Sequence, residues 1–388
     1  MEFTFSPEQQ HLRKEIRAVF ERLMTPEVKA ELANGDEMGT AYRAFVRSLG
    51  AEGWLGVGWP TDYGGRGFTP VEQSIFFEEA QRAEAPLPLV TLNTVGPTLM
   101  QFGSEEQKRQ FLPGILRGDV EFAIGYSEPG SGSDLASLRT RAIRDGDNYV
   151  INGNKIFTSG VACADYVWLA VRTDPDAPKH KGISILIVPV SSPGLSWSPI
   201  HTMPGVTTYA SYYDAVRVPA SSVVAGENEG WKLIMAQLNF ERAFLGAIGA
   251  LEPLFDETIQ WARSTVRDGR RVIEEPWVQA VLARVEANVE AYRLLNQRMA
   301  WAMTDGAFSP AEASAVKVFG TELTQEAARM MLQVLGSEGV RKGDGAALHG
   351  RLERAYRLAV LNTFGGGANE IQRDIIAMMG LRLPRSPR

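Results

Sequence analysis

The stretch FAIGYSEPGSGSDLASLRTRA, residues 122–142, stands where one texture of the sequence ends and another begins. Upstream the chain reads as helices. Ser6, Pro7 and Gln9 form a capping box with proline at the first helical position, and Leu12, Ile16, Val19 and Leu23 then repeat at helical spacing. GWPTDYGGRGFTP (58–70) is a loop punctuated by glycine and proline, and VEQSIFFEEAQRAEA (71–85) resumes a helix. Ser104 caps another helix, expected to carry Phe111 and Leu112 and to stop near Pro113. Downstream, YVINGNKIF (149–157) alternates apolar and polar residues about Asn152-Gly153, which reads as a hairpin turn. DYVWLAVRT (165–173), GISILIVPV (182–190) and TTYASYYDAVRVPA (207–220) are rich in β-branched and aromatic residues and read as strands. No helices alternate with them, so an antiparallel sandwich or barrel is expected rather than a doubly wound parallel sheet. Helices return from Gly230 and persist, with breaks at 267–276, 304–310 and 336–346. The expected fold is a multi-domain α+β protein. An N-terminal helical domain spans 1–120, a middle antiparallel β-domain 121–226, and a C-terminal helical bundle 227–388.

The composition narrows the function classes. With 388 residues the chain is long enough for two or three units sharing a core. Its net charge is −6, with no long run of either sign, which argues against nucleic acid as the main partner. The lone Cys163 leaves no internal disulfide framework and points to a reducing, cytoplasmic compartment. The first 20 residues lack the apolar centre of a signal peptide, and no apolar run approaches a membrane span. The histidines at 11, 180, 201 and 349 are scattered without metal-ligand spacing, so no metal is expected.

In the opening stretch, Gly130, Gly132 and the flanking serines offer backbone N–H groups and hydroxyls to a polar cofactor or a phosphate. Taken alone, the same residues read more readily as a solvent-exposed turn. Four motifs in order carry more weight: YSEPGSGSD, DGDNYVINGNKIFTSG, YDAVRVPASSVVAGENEGWKLIMAQLNFERA (213–243) and GGGANEIQRDIIA (365–377). Together they resemble the acyl-CoA dehydrogenases over nearly the whole chain. The resemblance implies that family's helix–sheet–helix fold with a C-terminal four-helix bundle, an FAD cofactor, and α,β-dehydrogenation of acyl-CoA thioesters. It maps flavin contacts onto Tyr126, Ser127, Gly132, Ser133, Phe157 and Ser159, with Phe157 covering one ring face. Apolar stacking with a few placed donors is what such a ring requires. Substrate contacts map onto Ser133, Asn239 and Arg242.

The reaction needs a carboxylate base whose pKa is raised towards neutrality by burial. Many relatives place this glutamate five residues before the isoleucine of IQR, and here that position is Gly366. The usual base is missing. A minority of the family places it on the helix after the β-domain, where Ile234, Leu238, Leu245 and Ile248 form an apolar stripe and position 241 continues it. Read alone, Glu241 is either an exposed partner of Arg242 or a costly buried carboxylate with a function. The motif match makes Glu241 the expected base. The resemblance also implies that the Gly366 N–H helps polarise the thioester carbonyl, with Gly367 in the cofactor-binding signature. Glycine at 366 leaves room for a bulky or α-branched acyl group.

Two motifs that normally reach the FAD of a neighbouring subunit are altered. If Gly269 in STVRDGRR (264–271) is the motif glycine, Thr265 replaces an arginine and Asp268 a phenylalanine. In QVLGS (333–337), Gln333 and Gly336 are kept while Ser337 replaces the second glycine. Loss of a cation and gain of an acid beside a pyrophosphate is unfavourable, unless Arg263, Arg267 or Arg270 compensates. The pattern suggests an α2β2 heterotetramer with a second homologous subunit, as in actinobacterial sterol side-chain dehydrogenases, and otherwise a homotetramer. An electron acceptor such as an electron-transfer flavoprotein is implied. An acyl-CoA oxidase and a non-catalytic scaffold subunit are the rival readings.

Overall fold

Ser6, Thr69 and Ser104 each accept a hydrogen bond from the backbone N–H three residues on, and Gln9, Glu72 and Gln107 bond back to the cap N–H. These three boxes set the starts of helices in a computed structural model that describes residues 4–33, 39–242, 248–343 and 345–384, with 33 and 238–242 described by backbone only. The first six helices are α1 (Pro7–Leu23), α2 (Pro26–Ala33), α3 (Thr40–Ala51), α4 (Pro70–Arg82), α5 (Gly96–Phe102) and α6 (Glu105–Arg117). Helix α6 does not stop at Pro113. It runs on until its end is closed by Gly118, whose N–H bonds back to the Gly114 and Ile115 carbonyls. Burial of Ile115, beyond the proline, supports that last turn.

Seven strands follow: β1 (Phe122–Gly125), β2 (Arg141–Asp145), β3 (Asn148–Lys155), β4 (Tyr166–Arg172), β5 (Ile183–Pro189), β6 (Leu195–His201) and β7 (Thr207–Pro219). Then come α7 (Gly230–Arg242), α8 (Ile248–Ser264), the short strands β8 (Val266–Arg267) and β9 (Arg270–Arg271), α9 (Pro276–Thr304), α10 (Pro310–Leu335), α11 (Arg351–Asn362) and α12 (Asn369–Ile375).

The chain divides into two compact units. One comprises Thr25–Gly67 and Pro86–Glu241 and contains the seven-stranded sheet. The sheet order is β1-β4-β2-β3-β7-β6, with β5 paired to β4. The pairs β2–β3, β3–β7, β4–β5 and β6–β7 are antiparallel as expected. In contrast, β1–β4 and the single β2–β4 pairing are parallel. The chain leaves β1 through the long 126–140 loop and the β2–β3 hairpin before returning as β4, a connection long enough for parallel pairing. Val167, Leu169, Val171, Leu186 and Val188 are fully buried in the core of this unit.

The expected hairpin at Asn152-Gly153 is not there. Strand β3 passes straight through, and the hairpin turn lies at Gly146–Asp147, between the paired residues Asp145 and Asn148. Asn152-Gly153 instead forms an irregularity against β7, where the register shifts and the Asn152 side-chain Oδ1 accepts the Ala215 N–H at 2.9 Å. Gly153 sits at φ 148°, and a Cβ there would lie 2.7 Å from Thr140 Cα. Glycine serves a close approach between strands, not a reversal of the chain.

The other unit comprises Met1–Met24, Phe68–Ala85 and Arg242–Arg388. Within it α4 packs on α1, α8 and α9, and α10 packs on α8, α9, α11 and α12. Val285, Met331, Val334 and Leu335 are fully buried at its centre. No helix among the described residues is long and apolar enough to cross a membrane.

Candidate active site

In the sheet-containing unit, the loop after β1 and the end of β3 lie side by side. Ile156 N–H donates to the Ser127 carbonyl at 2.8 Å, and Lys155 Nζ donates to the Tyr126 carbonyl at 3.0 Å. The Lys155 ammonium is completely buried and meets Glu128 Oε1 at 2.9 Å. Glu128 also accepts the backbone N–H groups of Arg139 and Thr140, at 2.7 and 2.8 Å. Burial pushes the Glu128 carboxyl up, but Lys155 and the bonds from Thr140 outweigh it and hold the group below the usual carboxylate range. Burial pulls the Lys155 ammonium down to about 8, against the attraction of Glu128. Neither residue figured in the sequence reading. The available signal was an opposite charge in each of two adjoining motifs.

This brace brings Tyr126 and Ser127 next to Phe157 and Ser159. Phe157 adopts φ 61°, an uncommon backbone for an aromatic residue, and its side chain is 59 % exposed. Ser159 Oγ lies 2.9 Å from Thr208 Oγ1. Gly132 and Ser133 are exposed further along the same loop. The Tyr126 hydroxyl accepts from Trp168 Nε1 at 3.2 Å and donates to Gln237 Oε1. Gln237 is 1 % exposed, yet its Nε2 has no hydrogen-bond partner among the described residues. An outward aromatic ring on a strained backbone, exposed serines, bare glycines and an orphaned buried donor suit a planar, polar-edged cofactor. The residues present fit FAD.

Position 241 belongs to α7. Leu233, Ile234 and Gln237 of this helix are buried, and 241 follows Gln237 by one turn. The side chains of Asn239, Glu241 and Arg242 lie outside the described residues.

In the helical unit, the three glycines of 365–367 lie between α11 and α12, outside both helices. Gly366 has φ 65° and Gly367 φ 103°, and a Cβ on Gly367 would lie 2.6 Å from Gln372 Nε2. Backbone conformation alone therefore disfavours a glutamate at 366. Lys317 on α10, 4 % exposed, donates to the Gly367 carbonyl at 2.8 Å, Asn369 Oδ1 at 2.7 Å and the Thr363 carbonyl at 3.3 Å. This lysine also went unnoticed in the sequence, where a single cation in the apolar run AVKVF was its signal.

The two altered motifs meet in this unit. Asp268 and Gly269, at φ 49° and 79°, form the turn of the β8–β9 ribbon. Arg267 donates from both terminal nitrogens to the Val334 and Leu335 carbonyls and stacks over Trp261 at 5.0 Å. It thereby closes the end of α10, which carries exposed Gln333 and is capped by Gly336 at φ 60°. Arg263 and Arg270 are exposed. Among the described residues no group of three His, Cys, Asp or Glu side chains is placed to hold a metal ion.

Three family models match the chain: "Acyl-CoA dehydrogenase, N-terminal domain" over residues 6–119, "middle domain" over 123–215, and "C-terminal domain" over 228–381. Acyl-CoA dehydrogenase FadE26 of Mycobacterium tuberculosis is 49% identical over 400 residues, covering 100% of both chains. Two solved assemblies are similar in structure, a steroid ACAD named Tcur3481-Tcur3483 and the ChsE4-ChsE5 complex of M. tuberculosis. Each has TM-score 0.94 and 50% identity, and covers 100% of both chains.

Proposed function

The chain belongs to the acyl-CoA dehydrogenase family, oxidoreductases that act on acyl-CoA, and we propose that it desaturates a bulky, sterol side-chain acyl-CoA between Cα and Cβ, with Glu241 as the base. The observation that carries the choice of base is Gly366. Its position is the one where many relatives hold the carboxylate, and its left-handed backbone suits glycine rather than glutamate. A base is still required, and α7 offers Glu241 one turn beyond the buried Gln237. The carboxylate takes the α-proton as the Cα–Cβ double bond forms. The Gly366 N–H donates to the thioester carbonyl, where charge accumulates, a form of stabilisation worth about 10²–10³ in rate per donor. Accepting the hydride from Cβ is the chemistry that FAD would supply when bound. Tyr126, Ser127, Gly132, Ser133, Phe157 and Ser159 would hold it, with the Lys155–Glu128 pair fixing the loop beneath.

The sterol substrate is supported by the bare glycine loop and by the likeness to an assembly named as a steroid ACAD. A heteromer with a second related subunit is supported by the same comparisons and by the residues around Gly269. Thr265 and Asp268 stand at the altered positions, and Arg267 is committed to the end of α10. In E241Q, turnover falls by at least roughly a thousandfold while the flavin spectrum and occupancy stay as in the wild type. Turnover within tenfold of wild type excludes Glu241 as the base.

A further inference from the structure

We propose that Lys317 is a positioning residue for the reaction, holding the glycine loop so that the Gly366 N–H faces the thioester carbonyl. The inference rests on the role proposed for that N–H. Helix α10 is apolar where it meets the core, with Ala313, Val316, Leu323 and Ala327 buried. Through them runs a buried polar stripe, Ser314, Lys317 and Thr321, spaced to share one face. Every member of it contacts the signature that follows α11. Ser314 Oγ donates to Gln372 Oε1 at 2.8 Å, and Asn369 Nδ2 donates to Thr321 Oγ1 and Glu322 Oε1, each at 3.1 Å.

Lys317 has three donors, and three acceptors receive them. A lysine closing the end of α11 accounts for its bond to Thr363, the residue that caps that helix. It does not account for the shorter bonds to Gly367 and Asn369, which lie beyond the helix end. The effect of all three is to tie the carbonyls of 363 and 367 to one point, with Asn369 N–H also bonded to the Thr363 carbonyl at 2.8 Å. The peptides between those carbonyls, the Gly366 N–H among them, are left little freedom to turn. Two residues at positive φ gain their freedom from the absence of Cβ, so something outside the loop must remove it. A buried ammonium costs desolvation that a purely structural clamp could avoid with a neutral donor. Its charge strengthens the bonds that hold the two loop carbonyls and Asn369.

The test compares K317M with wild type and S314A in the assembled holoenzyme. S314A removes a bond to Gln372 without touching the loop carbonyls, and keeps kcat within about threefold. For K317M, kcat falls by about 30–100-fold with KM changed less than about threefold, the pattern of a misplaced transition-state contact. Backbone amide exchange over 364–368 quickens by at least about tenfold. With a 3-thiaacyl-CoA, whose acidic α-proton leaves without oxidation, the pH midpoint of deprotonation rises by about 1.5–2, the same factor expressed on the pH scale. If K317M does not assemble, K317Q is read by the same three measures. Unchanged loop exchange, a loss confined to KM, or a loss of kcat with the 3-thia titration unmoved each overturns the proposal. Activity in E241Q would remove the base assigned above and leave the exchange and titration results of K317M standing.

Discussion

Lys155 and Glu128 are 27 residues apart in sequence, and burial makes each depend on the other. Their pairing converts two charges that would separately be costly into a brace under Tyr126. Glu121 shows the opposite outcome within the same unit. It is 1 % exposed, and neither of its oxygens accepts a well-formed hydrogen bond among the described residues. The Arg43 guanidinium stands 3.4 Å away. Burial pushes this carboxyl up to about 7, with Arg43 opposing and Asp165 adding to the rise. The folded protein therefore holds the proton more tightly than the unfolded chain, whose carboxyl titrates near 4.5. Stability contributed by Glu121 is fully present below pH 4.5 and is lost as pH rises through 7, by about 3 kcal/mol in all. E121Q abolishes that loss. Its thermal midpoint should match or fall below wild type at pH 4.5 and exceed it at pH 8; a constant difference across this range would show that Glu121 does not titrate there.

At the scale of elements, β4 and β5 were legible because their β-branched and aromatic runs are buried in a sheet core, and β7 because spaced residues such as Tyr213, Val216 and Val218 face that core. Strand β6, LSWSPIH, was not, since it carries serines and a proline and is largely exposed. Strand β1 is four residues long and too short to show a period. Asn152-Gly153 misled because the pair that reverses a chain also suits a bulge, and only the neighbouring Thr140 backbone distinguishes the two. G153A tests that account. Its Cβ would collide with Thr140, and φ 148° disfavours any side chain, so unfolding stability should drop by about 1–3 kcal/mol with an unchanged denaturant slope. A loss below about 0.5 kcal/mol would mean the strand relaxes without strain. The glycine triplet was legible as chemistry before it was legible as structure. Its motif register located the absent glutamate, whereas its support by Lys317 depends on a helix some 50 residues upstream that no local pattern connects to it.

For the whole molecule, the family and its three-part architecture were carried by motif order, and the structure divides the same chain into two units that each draw on distant segments. Segments 1–24 and 68–85 join the C-terminal helices, an arrangement set by long-range packing of α1 and α4 that sequence proximity conceals. Association with a second subunit predicts a deficit when the chain is purified alone. Flavin absorbance per polypeptide should be well below one, rising to about one per chain pair when a related subunit with an intact arginine motif is added, since ligand and partner binding are linked. Full occupancy in a stable homotetramer would contradict the heteromeric assembly. Transfer of the α-proton to Glu241 is read most directly by hydrogen exchange at Cα. With a bulky acyl-CoA in deuterated water, the assembled wild type should wash deuterium into Cα, and E241Q should lose that exchange by at least roughly a thousandfold. Exchange in E241Q at the wild-type rate would place the base elsewhere and contradict the account.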